Sequence, residues 1–267
     1  MKFLITGFRS FISLLGTIGH TLLAIIDSAG AVWLFFIRGV LTGIFPPYYP
    51  RLWLAQMAEI GFYSLPVVGL TTIFSGMVLA IQAIGSLSAS LAPVAVPNLV
   101  VFAMTKELSP VLVGLMVAGR IGSAISAELG TMRVSEQLDA LHTLNTNVFA
   151  YLVFPRLLAA MVMLPLLVLI GDALGIFGGY IMAVQQLKLP SDVFLNNAWQ
   201  AISLVGVFGG LIKAFCFGLI VALMGCYHGY HCTGGAEGVG IATTRAVVSS
   251  SILILIANFL VTIWWYQ

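Results

Sequence analysis

The residues able to do chemistry in this chain are few, and several stand in apolar surroundings. Lys106 and Glu107 lie within a stretch carrying no other charge from Gly61 to Gly119. A bare charge at mid-bilayer costs at least about 2.5 kcal/mol, so such residues line a polar pathway or are paired. Adjacent helical residues point about 100° apart, so the two do not simply neutralise each other. Two compatible readings follow. Either they form a polar patch in a cavity, with the lysine near an anionic group, or they are bridged to another helix, Glu107 with Lys213 for example. Asp172 is a similar lone acid with no evident partner. Cys226, His228, His231 and Cys232 offer ligands that zinc accepts, but at tighter spacing than familiar zinc sites, and no metal site is assigned to them. No G-x-x-x-x-G-K-[ST] sequence is present, so no phosphate-binding loop of that type can form. No catalytic residue and no cofactor is assigned to the chain, which reads as other than an enzyme.

The elements that hold these residues follow from composition. Of 267 residues, 11 are basic and 9 acidic, 7% in all, while 60% are hydrophobic. Soluble proteins carry roughly 25% charged residues. So few charges cannot cover a water-soluble surface of this size. A soluble globular enzyme is excluded, and so is a nucleic-acid binder, which needs clustered Lys and Arg. The fold class is an all-α, multi-pass membrane protein. Three cysteines support no disulfide framework. The opening MKFLITGFRSF has no evident cleavage site and reads as retained.

A crossing needs about 20 apolar residues. The sequence predicts five, at about 61–87, 98–119, 157–184, 202–227 and 246–266. Pro93 and Pro97 divide the first two. Between the second and third, residues 120–147 carry Arg120, Glu128, Arg133, Glu136 and Asp139, so this segment must face water or a protein partner. Leu129, Met132, Leu138, Leu141 and Leu144 give it a partial helical stripe. Pro190, Ser191 and Asp192 predict a turn opening a helix. Glycines 234, 235, 238 and 240 predict a loop before the last crossing, which ends on the interfacial aromatics Trp264, Trp265 and Tyr266.

Residues 1–50 are long and apolar enough for a sixth crossing or for amphipathic helices in the interface, ended by FPPYYP. With five crossings and the N-terminus inside, Lys2, Arg9, Arg38, Arg51, Arg120, Arg133, Arg156 and Arg245 are cytoplasmic, leaving Lys106, Lys188 and Lys213. A sixth crossing would move Lys2 and Arg9 outside. The positive-inside rule therefore favours an interfacial segment over 1–50, with the membrane-crossing domain over 51–267.

Two motifs carry a resemblance. The segment ELSPVLVGLMVAGRIGSAISAELGTMRVSEQLDALHTLNTNVFAYLVFPRLLA and the later GGAEGVGIATTRAVVSSS are similar to the MlaE/YrbE family of ABC-transporter permeases. The similarity runs from about residue 50 to the end. It departs at His142–Val148, where the family has an Asp-Pro turn, and at Ile241, where it often has arginine.

The resemblance implies a homodimeric permease in a bacterial inner membrane. It would move phospholipid and so maintain outer-membrane lipid asymmetry. Its implied partners are a cytoplasmic ABC ATPase that binds the ATP, a periplasmic MCE-domain protein and a small STAS-domain subunit. Coupling to the ATPase would fall to Arg120, Glu128, Arg133, Glu136 and Asp139, on a short amphipathic helix. The helix bearing Leu79, Ala83, Ser86 and Ser90 would lie at the dimer seam, with Leu79, Ser86, Lys106 and Glu107 as lipid-contacting residues. Alternatives are a scaffold that only anchors the partners, or an ion-driven secondary transporter. The latter is disfavoured because no inverted repeat is detectable.

Overall fold

The computed structural model describes Gly19, Leu23 and residues 26–43, 48–86 and 91–266. Every regular element among these is a helix. Helix α1 is Ile26–Gly43. Then come α2 (Pro50–Gly61) and α3 (Leu65–Ser86), joined by the single turn Phe62–Ser64. Helices α4 (Ala92–Ala103), α5 (Ser109–Val117) and α6 (Ser123–Val134) run on through the π turns Met104–Leu108 and Ala118–Gly122. The short α7 (Gln137–Thr143) follows, then α8 (Phe154–Leu187) behind the π turn Phe149–Val153. Helices α9 (Ser191–Ala201), α10 (Leu204–Tyr230) and α11 (Gly235–Tyr266) complete the chain.

Among the described residues, six stretches are long and apolar enough to cross a membrane: Ile26–Gly43, Pro50–Ser86, Ala92–Val134, Phe149–Gln186, Leu204–Tyr230 and Gly235–Trp265. The last five correspond to the five expected crossings, with ends that differ by a residue or two at Leu87, Ile202 and Tyr266, but most are longer than expected. Ala92–Val134 spans 43 residues, about 64 Å at 1.5 Å per residue, against a hydrocarbon core of about 30 Å. Pro93 and Pro97 do not break it. Pro93 stands in its first turn, where no amide donor is needed, and Pro97 one turn further on. The glycine loop also needs correction. Only Gly234 (φ +94°) and Gly235 (φ +67°) take left-handed conformations. Gly238 and Gly240 are already helical, and a Cβ on Gly238 would meet the Thr233 carbonyl. The turn at Pro190 does open a helix, with Asp192 in its first turn.

Close packing follows from small residues. Gly76 of α3 lies against the Gly175 carbonyl of α8, and Gly178 against the Ile73 carbonyl, so a Cβ at Gly76 or Gly178 would strike backbone. Without water to expel, helices in lipid gain mainly from such close approach. One core gathers Val113, Ile121, Leu129, Leu164, Phe217 and Val221 from α5, α6, α8 and α10. A second, around Val96, Val100, Met104, Ala183 and Phe194, lies where α9 folds back on α4.

Pro97 lacks the amide that would bond the Pro93 carbonyl four residues back. Asn197 Nδ2 of α9 takes that carbonyl at 3.1 Å. The proline thus creates the acceptor that pins α9 in place.

Among the described residues, the contacts of helix α1 fall at one end of the bundle, the end that carries α7. Gly39 rests against Val153 and Leu157, and Gly43 against the Phe154 ring. The Phe35 ring packs on Phe149, Tyr227, Tyr230 and His231 with centroids 5.1–5.9 Å apart. Ser28 and Val32, near its start, face Met224 to Ser249.

Candidate functional site: an embedded polar network, a groove and an exposed short helix

Pro110 repeats the logic of Pro97 at the heart of the molecule. It removes the amide that would bond the Lys106 carbonyl, and the preceding turn Met104–Leu108 is π-helical. Lys213 of α10 fills the gap: its Nζ donates to the Lys106 carbonyl at 2.8 Å and to Glu107 Oε1 at 2.7 Å. Lys213 is 0% exposed, while the Glu107 side chain is 38% exposed. Two groups of α11 complete the carboxylate's surroundings. Asn258 Nδ2 donates to Oε2 at 3.1 Å, and the Thr262 hydroxyl lies 3.2 Å from Oε1. Glu107 therefore ties three helices together. Of the two readings open in the sequence, the geometry makes the bridge to Lys213.

Lys106 points elsewhere. Its Nζ stands 4.0 Å from the centroid of the Phe102 ring, and its stem lies along Gly206. The helix begins at Ala92 rather than at the expected start near Asn98, so Lys106 lies about 21 Å along it. Asp172 is buried in α8, with Oδ1 lacking a hydrogen-bond partner among the described residues.

Leu79 does not meet Glu107 directly. It lines an open groove of about 430 Å³ with Phe74, Ser75, Val78 and Gln82 of α3 and Leu108 and Leu112 across from them. Phe74 and Val78 stay exposed on its wall. Ser86 lies a turn beyond, exposed, its hydroxyl donating to the Ala83 carbonyl at 3.1 Å. Ser90 is outside the described residues.

The charged segment 120–147 divides in two, which corrects the single amphipathic helix expected there. Its first half is α6, continuous with the crossing and packed on α10 and α11, with Ile121, Ile125 and Leu129 buried. Arg120 reaches Ser64 Oγ at 2.8 Å and Glu59 at 3.6 Å. Glu128 bonds Arg156 of α8 at 2.8 Å, and that arginine is only 2% exposed. These two join helices within the chain. The second half begins at Glu136, which takes a left-handed conformation (φ 60°) and so breaks the helix before α7. Arg133 and Asp139 clasp α7 to α6 at 2.8 Å. Around that clasp Glu136, His142 and Thr143 stand exposed, and Leu144 is 74% exposed. Leu138 turns inward and anchors the helix.

The four cysteine and histidine residues do not form a metal-ligand cluster, although His228, His231 and Cys232 border one cavity. His228 Nε2 pairs with Ser249 Oγ at 3.1 Å and His231 Nδ1 with the Tyr227 carbonyl at 2.9 Å, while Cys226 is buried. No group of three potential metal ligands occurs among the described residues. Sequence reasoning missed Asn258, Thr262 and the Arg156–Glu128 pair. Only Pro110, four residues beyond Lys106, signalled a carbonyl in need of a donor.

Comparison with known proteins bears on this arrangement. Residues 53–264 match the family model described as "Permease MlaE". A protein of Rickettsia bellii (strain RML369-C) named "Probable ABC transporter permease protein" is 47% identical over 251 residues, covering 94% of this chain and 97% of the relative. A Rickettsia conorii (strain ATCC VR-613 / Malish 7) relative with a similar name is 48% identical over 246 residues, covering 92% and 95%. One from Synechocystis sp. (strain ATCC 27184 / PCC 6803 / Kazusa) is 40% identical over 214 residues, covering 80% and 81%. With its all-helical, membrane-crossing architecture, the chain belongs to the MlaE family of ABC-transporter permeases.

Proposed function

We propose that this permease moves phospholipid across or out of a bacterial inner membrane, as the membrane half of an ATP-driven complex. The observation that carries the reading is the groove beside Leu79. It is apolar enough for an acyl chain, has Ser75 and Gln82 as its polar members, and is open rather than closed around a soluble ligand. Leu108 of its wall adjoins the Glu107 network, so a shift of α5 against α10 would reshape the groove. Lys106, on the same turn but directed toward Gly206 of α10 rather than into the groove, is the cation proposed for the phosphate group.

A permease of this family works with an ATPase. The α7 surface around Glu136, Asp139 and Leu144 is the element proposed to dock it, while Arg120, Glu128 and Arg133 transmit force by holding α6 to its neighbours. A homodimer, a periplasmic MCE-domain protein and a STAS-domain subunit complete the proposed assembly, which would maintain outer-membrane lipid asymmetry. The contacts of α1 with the α7 end alone support an interfacial placement of that helix on the cytoplasmic side. Most of 1–25 lies outside the described residues.

Transfer of a fluorescent phospholipid by the reconstituted complex tests the proposal. Leu79→Arg places a charge in the groove and is expected to stop transfer while ATP hydrolysis continues. Transfer at the wild-type rate would overturn the groove as the lipid route.

A further inference from the structure

A second cavity has nothing to do with the groove or the coupling surface. It encloses about 570 Å³ between the start of α1, the end of α10 and the first turns of α11. Arg245, His228 and His231 all line it, with the hydroxyl residues Ser28, Thr233 and Ser249. No carboxylate is among its lining residues. Its remaining wall is apolar, including Val32, Met224 and Ile241.

The hydrogen bonds show which groups remain to meet a ligand. Ser249 donates its own proton to the Arg245 carbonyl at 2.6 Å, so its oxygen accepts from His228 Nε2 at 3.1 Å. That leaves Nδ1 as the His228 ring atom outside this bond, which gives an anion a proton only when the ring is the imidazolium. His231 donates Nδ1–H to the Tyr227 carbonyl, which leaves Nε2. Arg245 lies one helical turn before Ser249, hence on the same face of α11 and beneath the His228 ring. None of the four ion pairs among the described residues engages Arg245. A guanidinium offers a planar fork of donors suited to phosphate oxygens. His231 also borders an adjoining cavity that holds Arg38 of α1, so basic groups continue along this flank.

We propose that this cavity binds a phosphate group, held by Arg245 with His228 and Thr233, and that its source is the head group of an anionic lipid in the leaflet at the α7 end. The apolar wall favours a lipid over free phosphate, because a small inorganic ion has no use for Val32, Met224 and Ile241. The Leu79 groove is separate, so the site stands independently of the lipid cargo proposed above.

Native mass spectrometry of the full-length chain from detergent tests it, with phosphatidylglycerol, phosphatidylcholine and inorganic phosphate each added alone and in competition. Wild type is expected to retain one phosphatidylglycerol in preference to phosphatidylcholine. Arg245→Gln should weaken that binding at least tenfold, and Arg245→Lys should recover part of it. His228→Gln keeps a donor for Ser249 but loses the second ring nitrogen, and should weaken binding severalfold. This variant carries the test if Arg245→Gln proves unstable. In a Leu79→Arg background, which removes lipid held in the groove, the preference for phosphatidylglycerol and its loss in Arg245→Gln should persist. Undiminished phosphatidylglycerol binding in both the Arg245→Gln and His228→Gln variants would overturn the site. Occupancy by inorganic phosphate with no preference for lipid would overturn the lipid source.

Discussion

Removing the charge of Glu107 should damage the protein more than removing that of its partner. Lys213 is fully buried and has two acceptors, Glu107 Oε1 at 2.7 Å and the Lys106 carbonyl at 2.8 Å. In Glu107→Gln the ammonium keeps neutral acceptors but loses its counter-charge. Stranding one partner of a buried pair costs roughly 3–5 kcal/mol. The partial exposure of Glu107 places the loss near the lower end of that range, about 3 kcal/mol. For a chain of this size 1 kcal/mol shifts the melting temperature by about 2–4 °C, so the expected fall is roughly 6–12 °C. In Lys213→Met the carboxylate left behind still has Asn258 and Thr262 at 3.1 and 3.2 Å, and partial access to its surroundings. Its loss should be smaller, about 1–3 kcal/mol. The assay is thermal unfolding of both variants and the double variant in one detergent, with copurified phospholipid measured alongside. The double variant should be less damaged than the sum of the two. An unchanged melting temperature for Glu107→Gln, with altered lipid occupancy, would refute the bridge and return Glu107 to lipid contact.

Asn197→Ala should cost about 1 kcal/mol by leaving the Pro93 carbonyl without its donor, and combining it with Pro97→Ala should recover part of the loss, as thermal unfolding would show. Charge reversal at both Glu136 and Asp139 should abolish lipid-stimulated ATPase activity of the complex while the permease stays folded; wild-type turnover would remove α7 from the coupling path. Gly178→Val should prevent accumulation of folded protein, because its side chain would enter the Ile73 backbone; a monodisperse variant on size-exclusion chromatography would argue against the α3–α8 contact. Single cysteines at Ser10 and Gln267, both outside the described residues, should label from opposite sides of the membrane; labelling from the same side would make α1 a sixth crossing.

Much of the architecture is legible in the sequence because lipid demands long uncharged stretches, and charges interrupt them in only a few places. The limits of that signal are also physical. Hydropathy marked the second crossing as ending at Gly119, where Arg120 begins a charged run. It could not show that the same helix continues to Val134, because Arg120 and Glu128 are satisfied by Glu59, Ser64 and Arg156 from other helices. Likewise, Gly238 and Gly240 look like loop residues by type. In place, Gly238 is a helical residue with no room for a Cβ, a fact about Thr233 rather than about glycine.

The prolines show most plainly what a sequence contains and what it withholds. Each proline inside a helix states that a carbonyl four residues back has lost its amide. The statement is local, and the two positions at issue can be read without a structure: Pro93 for Pro97, Lys106 for Pro110. What answers each carbonyl is set by packing over more than a hundred residues, Asn197 in one case and Lys213 in the other. The second answer has consequences that the first does not. The same ammonium that replaces the lost amide also holds Glu107, and Glu107 holds α11 through Asn258. A defect in the backbone of one helix thereby becomes the junction of three. The Leu108 side chain beside that junction forms part of the groove wall. Movement of α10 relative to α5 cannot occur without either breaking the Lys213 contacts or carrying the π turn, and the groove wall, along with it. Within the proposed lipid route, the junction is thus the place where helix motion and groove shape are mechanically the same event.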